Sequence, residues 1–204
     1  MFGSTELVEY GSGSCIRRDT GNAAGAVRWI ARWLLAREAN ALAVLAGQPG
    51  IPELLRVTDT DLEREYLPGV PMQVGKPTDP DYFRSAARLV RRLHRCGVVH
   101  NDLAKEPNFL VMPDGAPAII DFQLAWRSAS RGRLFRTLAR EDLRHLLKHK
   151  RTYCPDRLTA RERRILDSPS VPARLWMRTG KPVYLFITRR ILGWRDREGA
   201  GDRF

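Results

Sequence analysis

The sequence predicts an α+β chain, and three observations carry that prediction. Short strand-like runs punctuated by Gly and Pro, with one helix among them, fill the first third. Farther on, Phe109-Leu110-Val111 and Ala118-Ile119-Ile120 flank Pro113-Asp114-Gly115, an apolar hairpin around a turn. Helical spacing of apolar residues precedes the hairpin, from Asp81 to Cys96, and returns after it, from Arg140 to Lys150.

In chain order, Glu6–Tyr10 and Cys15–Arg18 read as strands joined by Gly11-Ser12-Gly13-Ser14. Ala26–Ala46 reads as a helix, with Ile30, Trp33, Leu34, Ala41, Leu42 and Leu45 expected to pack on those strands. Its opening, RWIARWLLAR, is basic with two Trp, so a membrane surface is the alternative partner for that face. Gly47–Glu53 is a turn, Leu54–Val57 and Leu62–Tyr66 are strands, and Glu65–Gly69 is extended. In Asp81–Cys96 the apolar face is Phe83, Ala86, Ala87, Val90 and Leu93. Asp79 or Pro80 supplies its entry signal and Gly97 its exit.

Trp126 to Arg140 is short and basic, and Arg140–Lys150 carries Leu143, Leu146 and Leu147 on one side. Thr159-Ala160-Arg161-Glu162 is a capping-box pattern that opens a helix through Leu166. Pro182 to Trp194 reads as a closing helix, with a basic membrane-surface helix as the alternative; the last ten residues read as loose.

Chemistry concentrates at the mouth of the hairpin. His100, Asp102 and Asn108 stand on one side of it and Asp121 on the other. Two carboxylates and an amide oxygen make a hard-oxygen site suited to Mg²⁺, with one carboxylate left to orient a hydroxyl. His100 is expected to scaffold the loop.

HNDLAKEPN followed by IIDFQLA resembles the catalytic and metal-binding loops of the protein-kinase-like superfamily, closest to its small bacterial RIO-type and lipopolysaccharide-kinase-type branch. The resemblance implies a bilobal α+β fold, with a reduced N-terminal β-lobe over residues 1–68 and a mostly helical large lobe over 69–204. It implies ATP and Mg²⁺ as cofactors and transfer of the terminal phosphate to a hydroxyl of a protein Ser/Thr or a lipopolysaccharide-type sugar. The alternative is a nucleotide-binding pseudokinase, a regulatory module.

Residue by residue, Asp102 takes the place of the catalytic base and Lys105 of the loop lysine that neutralises phosphate. Asn108 and Asp121 become the metal ligands, and Asp142 the buried brace of the loop. Glu65 and Leu67 belong to a stretch that resembles the hinge, where backbone groups read adenine. Phe2-Gly3-Ser4 resembles the tail of a phosphate-covering glycine loop.

The chain departs from the family in three places. Asn108 lies six residues after Asp102 where the family has five, while the thirteen from Asn108 to Asp121 are the usual interval. Gln123 replaces a Gly, which argues against a flipping activation switch. No lysine precedes Lys76 to hold the α- and β-phosphates. Arg17 or Arg18 stands where that lysine would, strand alternation lets only one face the cleft, and Arg17 is the one expected to pair with Glu38.

Composition narrows the setting. A hydrophobic content of 43% suffices for a core, and no apolar run approaches the roughly 20 residues of a membrane span. Cys15, Cys96 and Cys154 lack zinc spacing and read as ordinary thiols of a reducing cytosol, so a cytoplasmic protein is expected, with room for peripheral contact with the inner membrane. The net charge of +12 calls for an acidic partner: nucleotide, anionic lipid, phosphorylated glycolipid or nucleic acid. Charge alone does not choose among them, although the lack of an aromatic-basic recognition motif disfavours nucleic acid.

Overall fold

The computed structural model describes residues 4–168 except Ser12, Asn22, Ala24, Ala26 and Val27. Phe2 and Gly3 of the expected glycine-loop tail, and the expected helix from Pro182 to Trp194, lie outside the described residues.

The N-terminal strands β1 (Ser4–Tyr10) and β2 (Gly13–Asp19) form an antiparallel hairpin, and helix α1 (Arg28–Val44) follows. Strands β3 (Leu54–Val57) and β4 (Asp61–Glu65) complete a four-stranded antiparallel sheet of order β1-β2-β4-β3. On α1 the buried stripe is Ala31, Leu35, Glu38, Ala39, Ala41 and Leu42. Leu35 and Ala39 meet Leu62 of β4 and Leu54 of β3. Trp33 is therefore not a packing residue as expected: it is 50% exposed, and Trp29 is 69% exposed. The helix is rotated so that Glu38, rather than a Trp, faces inward, because ion pairs await the carboxylate there.

Beyond the sheet come β5 (Val70–Pro71), the single turn α2 (Met72–Gly75) and the long helix α3 (Pro80–Arg95). Both entry signals of α3 operate: Pro80 takes the first helical position, and Asp79 accepts from the Asp81 N–H at 2.8 Å. The helix ends at Gly97, whose φ of +76° suits glycine and whose missing side chain leaves space for the Ser128 carbonyl, 2.8 Å from where a Cβ would stand. Tyr82, Phe83, Ala86, Leu89, Val90 and Leu93 bury one face of α3.

Strand β6 (Val98–Val99) leads into the loop; β7 (Phe109–Val111) and β8 (Pro117–Ile119) form the expected hairpin, to which β5 adds a third strand. Strand β9 (Trp126–Arg127) pairs with β6, and α4 (Arg133–Tyr153) and α5 (Ala160–Asp167) follow. Helix α4 begins at Arg133 rather than Arg140, because Phe135 buries itself against Trp126 and His94. The Thr159–Glu162 capping box is present in full. Among the described residues no helix is long and apolar enough to cross a membrane.

One core gathers α3, the β7–β8 hairpin, the inner ends of α1 and α4, and the loop residue Leu103. Phe109 is fully buried in it, its ring 5.9 Å from that of His149. Phe109→Ala should lower the unfolding free energy by about 3–5 kcal/mol in urea titrations; a loss below about 1 kcal/mol would show that the hairpin is not anchored there.

Candidate active site

The loop after β6 is shaped from below by one buried carboxylate. Asp142 of α4 is 1% exposed and accepts three bonds: from the His100 N–H (2.8 Å), the Asn101 N–H (3.0 Å) and His94 Nε2 (3.1 Å). This is the bracing role the sequence suggests for it. Between its two oxygens the backbone turns through Asn101 at φ +63°, a conformation Asn tolerates better than most residues. The Asn101 amide in turn donates to the Leu124 carbonyl at 3.1 Å.

His100, fully buried, is a scaffold as expected. Its Nδ1 accepts from the Asp102 N–H at 3.3 Å and its Nε2 faces the Ile120 carbonyl at 3.0 Å, so the proton sits on Nε2. Its ring lies against Phe122 at 4.8 Å. One imidazole thus ties the segment carrying Asp102 to the segment carrying Asp121.

Asp102, Lys105 and Asn108 come together. Lys105 Nζ lies 3.2 Å from Asp102 Oδ2, and the Asn108 amide donates to the Asp102 carbonyl at 2.9 Å and to Oδ2 at 3.2 Å. Burial pushes the Asp102 carboxyl above its ordinary range, with Lys105, His100 and Asn108 opposing. Between Asp102 and Asn108 the loop closes in a 3₁₀ turn over Glu106–Asn108. That turn is pinned to α4 by Tyr153, which donates to Glu106 at 2.6 Å, and by His149, which donates to the Leu103 carbonyl at 2.8 Å.

Asp121 arrives across the hairpin. The Ile120 N–H donates to the Asn108 carbonyl at 3.0 Å, which puts Asn108 and Asp121 at one end of the ladder. Asp121 adopts φ +66°, and Gln123 Nε2 donates to its Oδ1 at 3.0 Å. The Gln123 side chain is therefore used to hold the carboxylate. Arg37 of α1 clamps the next residues, donating to the carbonyls of Leu124 (3.0 Å) and Ala125 (2.7 and 3.0 Å).

The expected pairing of Arg17 with Glu38 is corrected by the structure. Arg17 pairs with Asp61 at 2.8 Å and lies 44% exposed, whereas Arg18 reaches Glu38 at 3.5 Å and Asp121 at 3.7 Å. Arg17 shares its strand face with Cys15 and Arg18 shares its face with Ile16, so alternation alone did not choose. Asp61, from a strand 44 positions away, made the choice.

Glu38 is fully buried. Burial pushes its carboxyl up, against the pull of Arg18 and Arg64. Arg64 and Arg37 were not singled out from the sequence. In Leu62-Glu63-Arg64-Glu65 the charges look like a solvated edge, and only the fold brings Arg64 to within 3.5 Å of Glu38.

Glu65 and Leu67, the residues expected at a hinge, are partly engaged. The Glu65 N–H donates to the Glu53 carbonyl at 2.9 Å, its carboxylate accepts from the Glu53 N–H at 3.2 Å, and the Leu67 carbonyl accepts from Gly69 at 2.8 Å.

The donor set suits a magnesium ion. Among the described residues no three or more His, Cys, Asp and Glu form a self-sufficient metal cluster. Magnesium does not require one, since it keeps waters and phosphate oxygens and takes one or two protein oxygens. With its amide nitrogen bound to Asp102, Asn108 has its side-chain oxygen outside those bonds, and its backbone stands at the same end of the ladder as Asp121.

The two lobes, with the loops between them, form a bilobal protein-kinase-like fold. The Rio2 kinase from Chaetomium thermophilum superposes with a TM-score of 0.62 and 14% identity, over 75% of this chain and 54% of that one. In sequence, a probable bifunctional tRNA threonylcarbamoyladenosine biosynthesis protein of Methanoculleus marisnigri is 34% identical over 134 residues, 62% of this chain. The match spans about a quarter, 24%, of that relative's length. No protein-family model matches the chain.

Asp142→Asn tests the brace. An amide offers one acceptor oxygen and turns an N–H₂ toward backbone donors, so stability should fall by about 1–3 kcal/mol in denaturant titrations. A neutral outcome would show that the loop is held by other contacts.

Proposed function

We propose that the protein is a Mg-ATP-dependent phosphotransferase acting on a hydroxyl acceptor. The observation that supports this reading most directly is the meeting of Asp102, Asn108 and Asp121 at one end of a hairpin, with Arg18 joining Asp121 to a buried Glu38. Asp102 would orient the acceptor hydroxyl and take its proton, while Asn108 and Asp121 hold magnesium. When bound, that ion would offset charge on the phosphates. Arg18, in place of the usual lysine, and Lys105 would supply the remaining positive charge. The hinge groups proposed for adenine are the Glu65 carbonyl and the Leu67 N–H, which the bonds described above do not use.

A glycolipid sugar or a protein serine is the proposed acceptor, in keeping with the lipopolysaccharide-kinase and RIO types. Only residues 128–132 separate β9 from α4, which leaves no long regulatory segment there. Exposed Trp29 and Trp33, beside the exposed Arg28 and Arg32, suit a peripheral contact with an anionic membrane, where a glycolipid acceptor would be met. The second reading, a nucleotide-binding module without transfer, draws on the arginine that stands for lysine.

Incubation with γ-labelled ATP and Mg²⁺ against fractionated cell extract decides between them. Labelling of an acceptor fraction supports the enzyme, and thermal stabilisation by Mg-ATP without labelling supports the module. Asp102→Asn should reduce turnover by ~10²–10⁴; unchanged turnover would remove Asp102 from the role of base. Lys105→Met removes a cation that holds the Asp102 carboxyl down, so the acidic limb of kcat/KM should move to higher pH. A limb that stays in place would show that Lys105 does not act on Asp102.

A further inference from the structure

The β7–β8 hairpin has two ends. Its mouth carries Asn108 and Asp121, while its tip, around Met112 to Ala116, lies beside helix α3. Between the tip and the helix runs an open groove of about 350 Å³. From α3 it takes Ser85, Arg88, Leu89 and Arg92, which share one stripe of the helix at spacings of three and four. Most of the remaining lining is apolar, with Leu67, Met112 and Pro117 among it.

The groove is held in shape by its own backbone. The Gly115 N–H donates to the Met112 carbonyl at 2.8 Å and the Met112 N–H to the Ala116 carbonyl at 2.9 Å, which closes the tip. Arg92 donates to the Pro49 carbonyl at 2.8 Å, and the Ile119 N–H to the Gly50 carbonyl at 2.9 Å, which fixes the turn beside it. A ligand entering a surface already ordered in this way loses little to rearrangement.

Its charges are unequal. Arg84, farther along α3, is paired with Asp81. Arg88 and Arg92 have no carboxylate partner among the described residues: Arg88 donates to Ser85 Oγ at 2.9 Å, and Arg92 Nε is buried without an acceptor. A guanidinium so poorly satisfied gains from a counter-ion on its open side. At the tip, Asp114 Oδ1 accepts from the Ala116 N–H at 2.9 Å and leaves one negative charge on the lining. That charge repels a run of phosphates and directs a single acid toward the helix.

We propose that this groove docks an extended segment of a partner protein that carries an acidic and a large apolar residue two positions apart. From Ser85 to Arg92 the helix rises about 10 Å, which matches roughly three residues of extended chain. Alternation along such a chain turns the first and third side chains to the same side. The acid pairs with Arg88 and Arg92, and the apolar side chain covers the Met112 and Leu67 lining. Docking at the tip leaves the mouth of the hairpin open. It requires no phosphate transfer, so it goes beyond the phosphotransferase reading and holds equally for a nucleotide-binding module.

Fluorescence anisotropy of the full chain with short labelled peptides tests the proposal. The probes carry Leu-Ala-Asp and Asp-Ala-Leu cores, the same cores with Asn for Asp, and the same cores with Ala for Leu; an unlabelled single-stranded oligonucleotide is the competing polyanion. An Asp core should bind saturably, its Asn counterpart at least about tenfold more weakly, and the core without Leu more weakly as well. Arg88→Ala should erase the preference for Asp over Asn. Arg91→Ala removes an exposed arginine of the same helix outside the groove and should leave that preference intact.

Failure of both Asp cores to saturate, a preference for Asp that survives Arg88→Ala, or displacement of the peptide by the oligonucleotide at physiological salt overturns the proposal. None of these results bears on the phosphotransferase reading, which labelled ATP tests separately.

Discussion

Asp142 organises more of this molecule than any other single side chain. A carboxylate sealed in the large lobe gains only if its oxygens meet donors, and here two successive backbone N–H groups and an imidazole supply them. In return the chain is forced through a left-handed residue, Asn101, at the point where β6 ends. That turn places Asp102 over the mouth of the hairpin and His100 under the Asp121 segment. The geometry of the site is thus set by hydrogen-bond demand in the core of a helix–loop junction.

The same logic recurs around the site at smaller scale. Gln123 restrains Asp121, Arg37 caps two carbonyls beyond it, and Tyr153 with His149 steadies the loop after β6. Helix α1 is consequently tied both to the sheet, through Leu35 and Ala39, and to the segment after Asp121, through Arg37. Leu35, Arg37 and Ala39 lie within five residues of one another, so these ties hold the middle of the helix on two sides.

Much of this was legible in the sequence because it is local. The hairpin follows from two apolar runs around Pro-Asp-Gly, the start of α3 from Asp79-Pro80, and the capping box of α5 from Thr159 and Glu162. Asp102, Asn108 and Asp121 could be placed together because a two-stranded ladder has only one mouth. The readings that failed involve choices between near-equivalent local options. Which of Arg17 and Arg18 faces inward, and which side of α1 is buried, are questions of rotation by one residue, and both were settled by partners far away in the chain. Trp33 lost its place in the core to Glu38 for that reason.

The order of strands and helices, the turn positions and the identity of the groups able to bind a hard cation were written in the amino-acid sequence, since backbone propensity, apolar spacing and side-chain chemistry act over a few residues. Long-range packing alone decided which charges share a buried space. Asp61 took Arg17, Glu38 took Arg18 and Arg64, and Asp142 took the loop, because a charge removed from water must find its complement wherever the fold brings one within reach.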